Sequence, residues 1–319
     1  MIDLGMLVVQ HVFRNMKIDK EWSVWDQRGF TWWGKDFAQH VWAEPHFGDA
    51  GFQITRLHAR TDLLQRVGLL PKNIAFLNGI NVHASMSGLV FDPDDPTRVQ
   101  LAASVYVHDQ NVESVTGLFT LAVAIQAADA QVKAHGLAEL MKVQPASSAH
   151  PSSGPRHDMD DMMNVLAGCV EPMGKEESRW VGEDFKETLM MLQQPPCVLA
   201  TGGDGSLTAE FPFQGLTSLL QVTTDADHPQ LGHGVLFRLT LPSNFSSWEE
   251  ADTLALALNQ SELRCLTRAH FLGSWCDGSP DNPALTYVSF FPNAAYQPGL
   301  LPSLVMSTMQ RAQWVAEEV

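Results

Sequence analysis

Twelve histidines in 319 residues are the first candidates for chemistry, because an imidazole serves as a base, a proton shuttle or a metal ligand. His40, His46, His58 and His83 fall in the first part of the chain. His150 and His157 stand beside Asp158, Asp160 and Asp161. A zinc site asks for three or four ligands at defined spacing, as in HExxH. None of these groups has that spacing, so the histidines read as surface or hydrogen-bonded residues and no metal ligand is assigned. Cys169, Cys197, Cys265 and Cys276 include no CxxC pair, which argues against a zinc ribbon or a redox motif and leaves buried, reduced thiols.

Nucleophilic chemistry fares no better. The sequence has no GxSxG elbow, and Ser85-Met86-Ser87-Gly88 lacks the residues around it that would make one. Gly202-Gly203-Asp204-Gly205 is followed by no lysine but by the strand-like run from Leu207 to Phe211, so it reads as a hairpin turn rather than a phosphate loop. Asp92-Pro93-Asp94-Asp95 lacks the glycine and glutamate positions of a calcium loop and reads as a turn. No catalytic residue and no cofactor is assigned, and the chain is expected not to be an enzyme.

Tryptophan is the residue type with a distinctive placement. Five of nine lie within the first 42 residues: Trp22, Trp25, Trp32, Trp33 and Trp42. Neighbours on a strand point to opposite faces, so Trp32 and Trp33 cannot enter one core together. One of the two rings must meet solvent, a helix or a partner. Large amphipathic rings are effective binding anchors. Trp25, Trp32, Trp33 and Trp42 are therefore the candidate peptide-binding anchors, with Arg56 and Arg60 as polar partners. Packing inside the chain is the competing explanation.

The elements that must position these residues come in two rounds. Gly29–Trp33 and Phe37–Trp42 are matched by Ser206–Glu210 and Ser218–Val222, and Phe52–His58 by Val235–Leu241. Gly88–Asp92, a Pro/Asp turn and Val99–Val107 are matched by Gly273–Asp277, a second Pro/Asp turn and Ala284–Phe291. The segments alternate like strands and the turns make hairpins. Helical spacing closes each round, at Val115–Ile125 and at Leu301–Ala312. Leu4–Met16 and Trp180–Gln193 are leading helices. A middle helix runs over Ser246–Leu258, opened by Ser246-Ser247-Trp248-Glu249, with a shorter counterpart at Asp62–Val67. The expected class is α+β: two tandem copies of a helix-flanked antiparallel sheet module, α-β-β-β-α-β-β-α.

Residues 1–142 form the first module, 143–178 a Pro/Ser/His-rich linker that is flexible or extended, and 179–319 the second module. Asp158–Leu166 adds a short helical turn. The formal charge is −16. Residues 1–142 hold 12 Lys and Arg against 15 Asp and Glu, and residues 143–319 hold 8 against 21. This acidity argues against nucleic acid and against anionic membrane surfaces. No stretch reads as a membrane span and the N-terminus lacks the features of a secretory signal, so a cytoplasmic location is expected.

The duplicated element order resembles the fold shared by type III secretion chaperones and YbjN-type proteins. Gly29-Phe30-Thr31-Trp32-Trp33, Gln39-His40-Val41-Trp42-Ala43-Glu44 and Arg56-Leu57-His58-Ala59-Arg60-Thr61-Asp62 are similar to a signature of the TY-Chap group. The second copy follows the element pattern without the tryptophans. The resemblance implies a bacterial peptide-binding, chaperone- or adaptor-like protein of signalling or conflict systems. Its partner would be a protein or an extended peptide client, held by a monomer with a pseudo-dimeric repeat or by a homodimer. Two other functions stay open. One is a metal-dependent or small-molecule-binding protein using a cleft between the modules, and the other is a structural or regulatory assembly subunit.

Overall fold

A computed structural model describes residues 3–49, 52–160, 177–194, 197, 199–203, 205–242, 245–264, 269–278 and 283–318. Its strands form two antiparallel sheets. In the first, β1 (Ser23–Trp25), β2 (Gly29–Trp33), β3 (Ala38–Ala43), β5 (Phe52–Gln65), β7 (Val99–Val107) and β6 (Gly88–Phe91) lie side by side in that order, and β4 (Phe47–Asp49) and β8 (Gln144–Pro145) pair with β5. In the second the order is β9 (Leu199–Gly203), β10 (Ser206–Phe213), β11 (Leu216–His228), β12 (Gly232–Leu241), β14 (Leu285–Pro292) and β13 (Ser274–Cys276). Matched strand for strand, the two paths are the same, so the repeat read from the sequence is a repeat of sheet topology. Six α-helices accompany them among the described residues: α1 (Leu4–Asn15), α2 (Pro71–Asn81), α3 (Val112–Met141), α4 (Glu183–Leu192), α5 (Trp248–Arg264) and α6 (Leu300–Glu318).

The chain divides into two compact units. The first comprises Met1–Leu69, Leu89–Cys169 and His270–Leu272, and the second Leu70–Gly88, Val170–Ala269 and Gly273–Val319. Each unit thus takes in a short segment from the other half of the chain. In the first unit, Phe271 exchanges backbone hydrogen bonds with Ser104 of β7 at 2.8 and 2.9 Å. In the second, Phe290 donates to the carbonyl of Ala84 at 3.0 Å, and α2 packs on α5, where Asn78 Nδ2 donates to Asp252 Oδ1 at 2.7 Å.

The first core lies between its sheet and helices α1 and α3. Helix α1 is capped by Asp3, whose carboxylate accepts from Met6 N at 3.0 Å, and it buries Gly5, Val8, Val9, Val12 and Phe13 at steps of three and four. Helix α3 meets the length and composition of a membrane span, contrary to the sequence expectation that no stretch does. However, 67% of its most apolar window is buried inside the fold, as a core helix requires. In the second unit, α4 and α6 pack on each other, α4 against β9 and α6 against β10 and β12.

Three sequence-based expectations about helices are corrected here. Asp62–Gln65 belongs to no helix: β5 continues through it, pairing Asp62 with Gln100 and Leu64 with Val99 around a bulge. The middle helix of the first half is α2, which starts at Pro71. Its buried face carries Asn73, Asn78 and Asn81 beside Ile74 and Leu77, so the apolar periodicity that would announce it is broken by amides. The second middle helix, expected over Ser246–Leu258, starts two residues later, at Trp248, and runs on to Arg264. Ser247 Oγ accepts from Glu250 N at 3.3 Å and Glu250 reaches back to Ser246 N at 2.9 Å, so the capping box is Ser247 with Glu250. Glu183, not Trp180, opens α4; Trp180 sits before it, fully buried with its ring 5.4 Å from Tyr296.

Candidate functional site

Strand register sorts the first sheet into two chemical faces. Directly paired residues share a face, so Phe30, Trp32, Gln39, Val41, Ala59 and Thr61 point towards α1 and α3. The opposite face carries Thr31, His40, Trp42, Arg56, His58, Arg60, Ser104 and Tyr106. It is a polar face and most of it is occupied by contacts within the unit. Gly29 leaves room for it: a Cβ there would stand 2.6 Å from Cβ of Trp42 and would collide with the carbonyl of Val41.

His58 lies at the centre, 1% exposed, with its ring stacked on Trp42 at 4.6 Å and 13°. Its Nε2 donates to Glu44 Oε1 at 2.6 Å. Burial, with Arg56 and Arg60 nearby, pushes the His58 pKa down to about 4 despite the Glu44 bond, so the pair is a neutral imidazole donating to a carboxylate. Burial is the largest single influence on the Glu44 carboxyl and raises it, but the His58 hydrogen bond together with the nearby His58, Arg56 and Arg60 charges outweighs it, and the net shift is downward. Arg56 is buried, donates from Nη2 to Ser104 Oγ at 3.2 Å and lies over the Tyr106 ring. Arg60 stands over Trp42 at 5.1 Å. Asp62 is held by Arg98 at 2.8 Å and Gln100 at 2.7 Å. His40 bonds Thr31 at 2.9 Å, and burial lowers its pKa.

The structure therefore brings Trp42, Arg56 and Arg60 together and leaves the other three candidates apart. Trp32 is fully buried on the helix side. Trp25 is 41% exposed at the sheet edge, its ring packed on Phe13 at 4.9 Å and Phe30 at 5.3 Å. Trp33 is 7% exposed, and what covers it is the segment expected to be a linker. Residues 144–160 cross the first sheet: β8 pairs with β5, Ser148 Oγ accepts from Trp33 Nε1 at 3.0 Å, and His150 packs its ring 5.1 Å from Trp33. Arg156 donates to the Trp33 carbonyl at 3.0 Å and pairs with Asp160 at 3.2 Å. This part of the linker is a fixed strap, because a tryptophan on the non-helical face needs a cover and a partner for its N–H. The helical turn expected over Asp158–Leu166 lies outside the described residues from 161 onward.

The remaining candidates for chemistry resolve as turns. Asp92 Oδ1 accepts from Asp94 N at 2.9 Å, and Asp95 Oδ1 accepts from Thr97 N at 3.1 Å, closing the β6–β7 hairpin. Gly203 pairs with Ser206 across the β9–β10 turn; Asp204 lies outside the described residues. So do Asp161, Cys169, Cys265 and the Pro280–Asn282 part of the second Pro/Asp turn. Among the described residues no three His, Cys, Asp or Glu side chains are placed to hold a metal ion. The Cys276 thiol is buried and pushed up to about 12 by that burial, which makes it a poor nucleophile.

The second unit holds a feature that the sequence reading missed. A groove of about 440 Å³ opens between α4, β10 and α6. Its floor is Phe211, Phe213 and Leu192, all buried. Its walls are Met191, Met306 and Met309, with Met306 42% exposed. Gln194, Gln214, Gln310 and Gln313 form an uncharged rim, and Gln214 Nε2 ties one end to the Ala316 carbonyl at 2.9 Å. The signal was present as Met306, Met309, Gln310 and Gln313 at i, i+3, i+4 and i+7 of one helix. Comparison with protein-family models, with curated proteins and with solved structures finds no significant match to this chain.

Proposed function

We propose that this chain is a non-enzymatic, chaperone- or adaptor-like peptide-binding protein whose client is an extended, uncharged apolar segment. The observation that carries this reading is the methionine-walled groove of the second unit. Its volume falls in the range of about 300–1,000 Å³ usual for ligand clefts. Methionine side chains are unbranched and adaptable, and they suit a surface that must accept varied apolar side chains. An uncharged glutamine rim offers hydrogen bonds to a peptide backbone and selects no charge. The expected α-β-β-β-α-β-β-α order is corrected by the strands Ser23–Trp25 and Leu199–Gly203, so that each half has at least four strands ahead of its middle helix; the repeat itself is compatible with the type III secretion chaperone and YbjN resemblance and adds to the reading. Trp32 and Trp33 are buried and Trp25, though 41% exposed, packs its ring on Phe13 and Phe30, so the binding surface is moved from the first module to the second.

The test is anisotropy of labelled short peptides, apolar and neutral against acidic and basic, with the full chain. The expected result is saturable binding of the neutral apolar peptides, weakened at least about tenfold, or about 1.4 kcal/mol, by Met306→Glu. Met306 is exposed enough for that variant to keep its melting temperature. Equal binding by wild type, Met306→Glu and Met309→Lys would remove the groove from consideration.

A further inference from the structure

We propose that Arg60 and Trp42 form a binding site for a carboxylate on the polar face of the first sheet. Arg60 stands opposite His40 on β3 and Ala102 on β7. Its guanidinium lies over the Trp42 ring at 5.1 Å, yet its Nε is buried without an acceptor. No hydrogen bond or ion pair to this guanidinium occurs among the described residues. Other arginines of the chain are matched: Arg28 with Asp3, Arg56 with Ser104, Arg98 with Asp62, Arg156 with Asp160 and Arg311 with Glu262. A buried donor without an acceptor, such as this Nε, is costly, and in a folded protein it calls for a partner.

The geometry selects the partner. The guanidinium carbon lies 5.1 Å from the Trp42 ring centre, and the N–H donors of a guanidinium lie in its own plane, where a two-oxygen acceptor fits them in a fork. Arg60, Trp42 and His40 each keep part of their surface exposed, so a ligand has access. The acids nearest in charge to Arg60 are Asp62, Asp92 and Asp94. Asp62 is engaged by Arg98 and Gln100, and Asp92 accepts from Gln100 and from the Asp94 amide. These acids would repel a dianion strongly, and His40 and His58 are kept neutral by burial and add no cation. A single-charged carboxylate fits this balance better than a phosphate.

The site belongs to the first unit, and its test does not depend on the groove. Side-chain spectra of the full chain with ¹⁵N-labelled arginine are followed during titration with sodium acetate, with chloride keeping ionic strength constant. A saturable shift of one Nε–H resonance is expected with acetate and not with chloride. That resonance is absent in both Arg60→Gln and Arg60→Lys, and calorimetric titration of Arg60→Lys with acetate gives an affinity at least about tenfold weaker than wild type, because the fork is lost. A short peptide with a free C-terminal carboxylate that binds more tightly than acetate, and loses this on amidation, identifies a peptide carboxylate. Equal affinity for acetate and the peptide identifies a small organic acid. If Arg60→Gln does not fold, Arg60→Lys keeps the charge and still identifies the resonance. A shift that never saturates, persists without Arg60, or saturates at lower inorganic phosphate than acetate overturns the proposal.

Discussion

Replacing Arg311 by methionine tests how the second core is held together. Arg311 and Glu262 are each 1% exposed and meet in a fork, Nε to Oε1 at 2.6 Å and Nη2 to Oε2 at 2.9 Å. Trp275 Nε1 adds a bond to Oε1 at 2.7 Å, and the guanidinium carbon lies 3.8 Å from the Tyr287 ring centre. Methionine preserves much of the packing volume and removes the positive charge. The carboxylate then stays buried without its cation, a change that costs about 3–5 kcal/mol. For a unit of this size the melting temperature should fall by roughly 6–20 °C, at about 2–4 °C per kcal/mol. The assay is urea and thermal unfolding read by near-UV circular dichroism, with a second substitution as the decisive arm. Glu262→Gln alone should destabilise, because it leaves the buried guanidinium without its counter-charge. In the Arg311→Met background the same change should stabilise, because it removes a buried lone charge and keeps an acceptor for Trp275. The reasoning fails if Arg311→Met costs under about 1 kcal/mol, or if Glu262→Gln has the same sign in both backgrounds.

Three further outcomes follow from the first unit. His58 takes a proton near 6.5 when unfolded and only at about 4 when folded, so its contribution is complete above about pH 6.5 and is lost as pH falls towards 4, at up to about 1.4 kcal/mol per pH unit. The difference between wild type and His58→Gln in unfolding free energy, followed from pH 7 to pH 5, should carry that slope; a flat difference would contradict a neutral buried imidazole. Trp33→Ala should cost about 3–5 kcal/mol, as for a buried aromatic, and speed proteolysis within residues 144–160 as the strap loses Trp33; unchanged stability would mean the ring is not covered. Gly29→Ala should lower the melting temperature, because its Cβ would sit 2.6 Å from that of Trp42, and a variant as stable as wild type would argue against that close approach.

Much of the fold was legible in order and kind. Strand alternation and hairpin turns located β2, β3, the start of β5, β6 and β7 and their second-half counterparts, since period-two patterning is local and strong. Helix α2 was not legible, because its buried face uses Asn73, Asn78 and Asn81, and a buried amide looks like a loop residue until its partner is seen. That partner for Asn78 is Asp252, 174 residues away. The site was read in part. Trp42, Arg56 and Arg60 share a face because register makes positions 42, 56, 58 and 60 neighbours across two strands; the same pleat puts Trp25 and Trp32 on the other face, and Trp33, although on the face of Trp42, is covered by Ser148 and His150.

The sequence by itself determined the α+β class, the two rounds of the same element order and the need for Trp32 and Trp33 to face opposite ways, because these follow from periodicity and from the stereochemistry of a strand. Only the tertiary structure decided that residues 144–160 cover Trp33, that residues 70–88 and 270–272 join the unit of the other half, and that Met191 meets Met306 and Met309 over Phe211 and Phe213. Each of these joins residues far apart in the chain. Their attraction is burial and hydrogen bonding between surfaces that exist only after the sheets have formed, and no local pattern of residues records it.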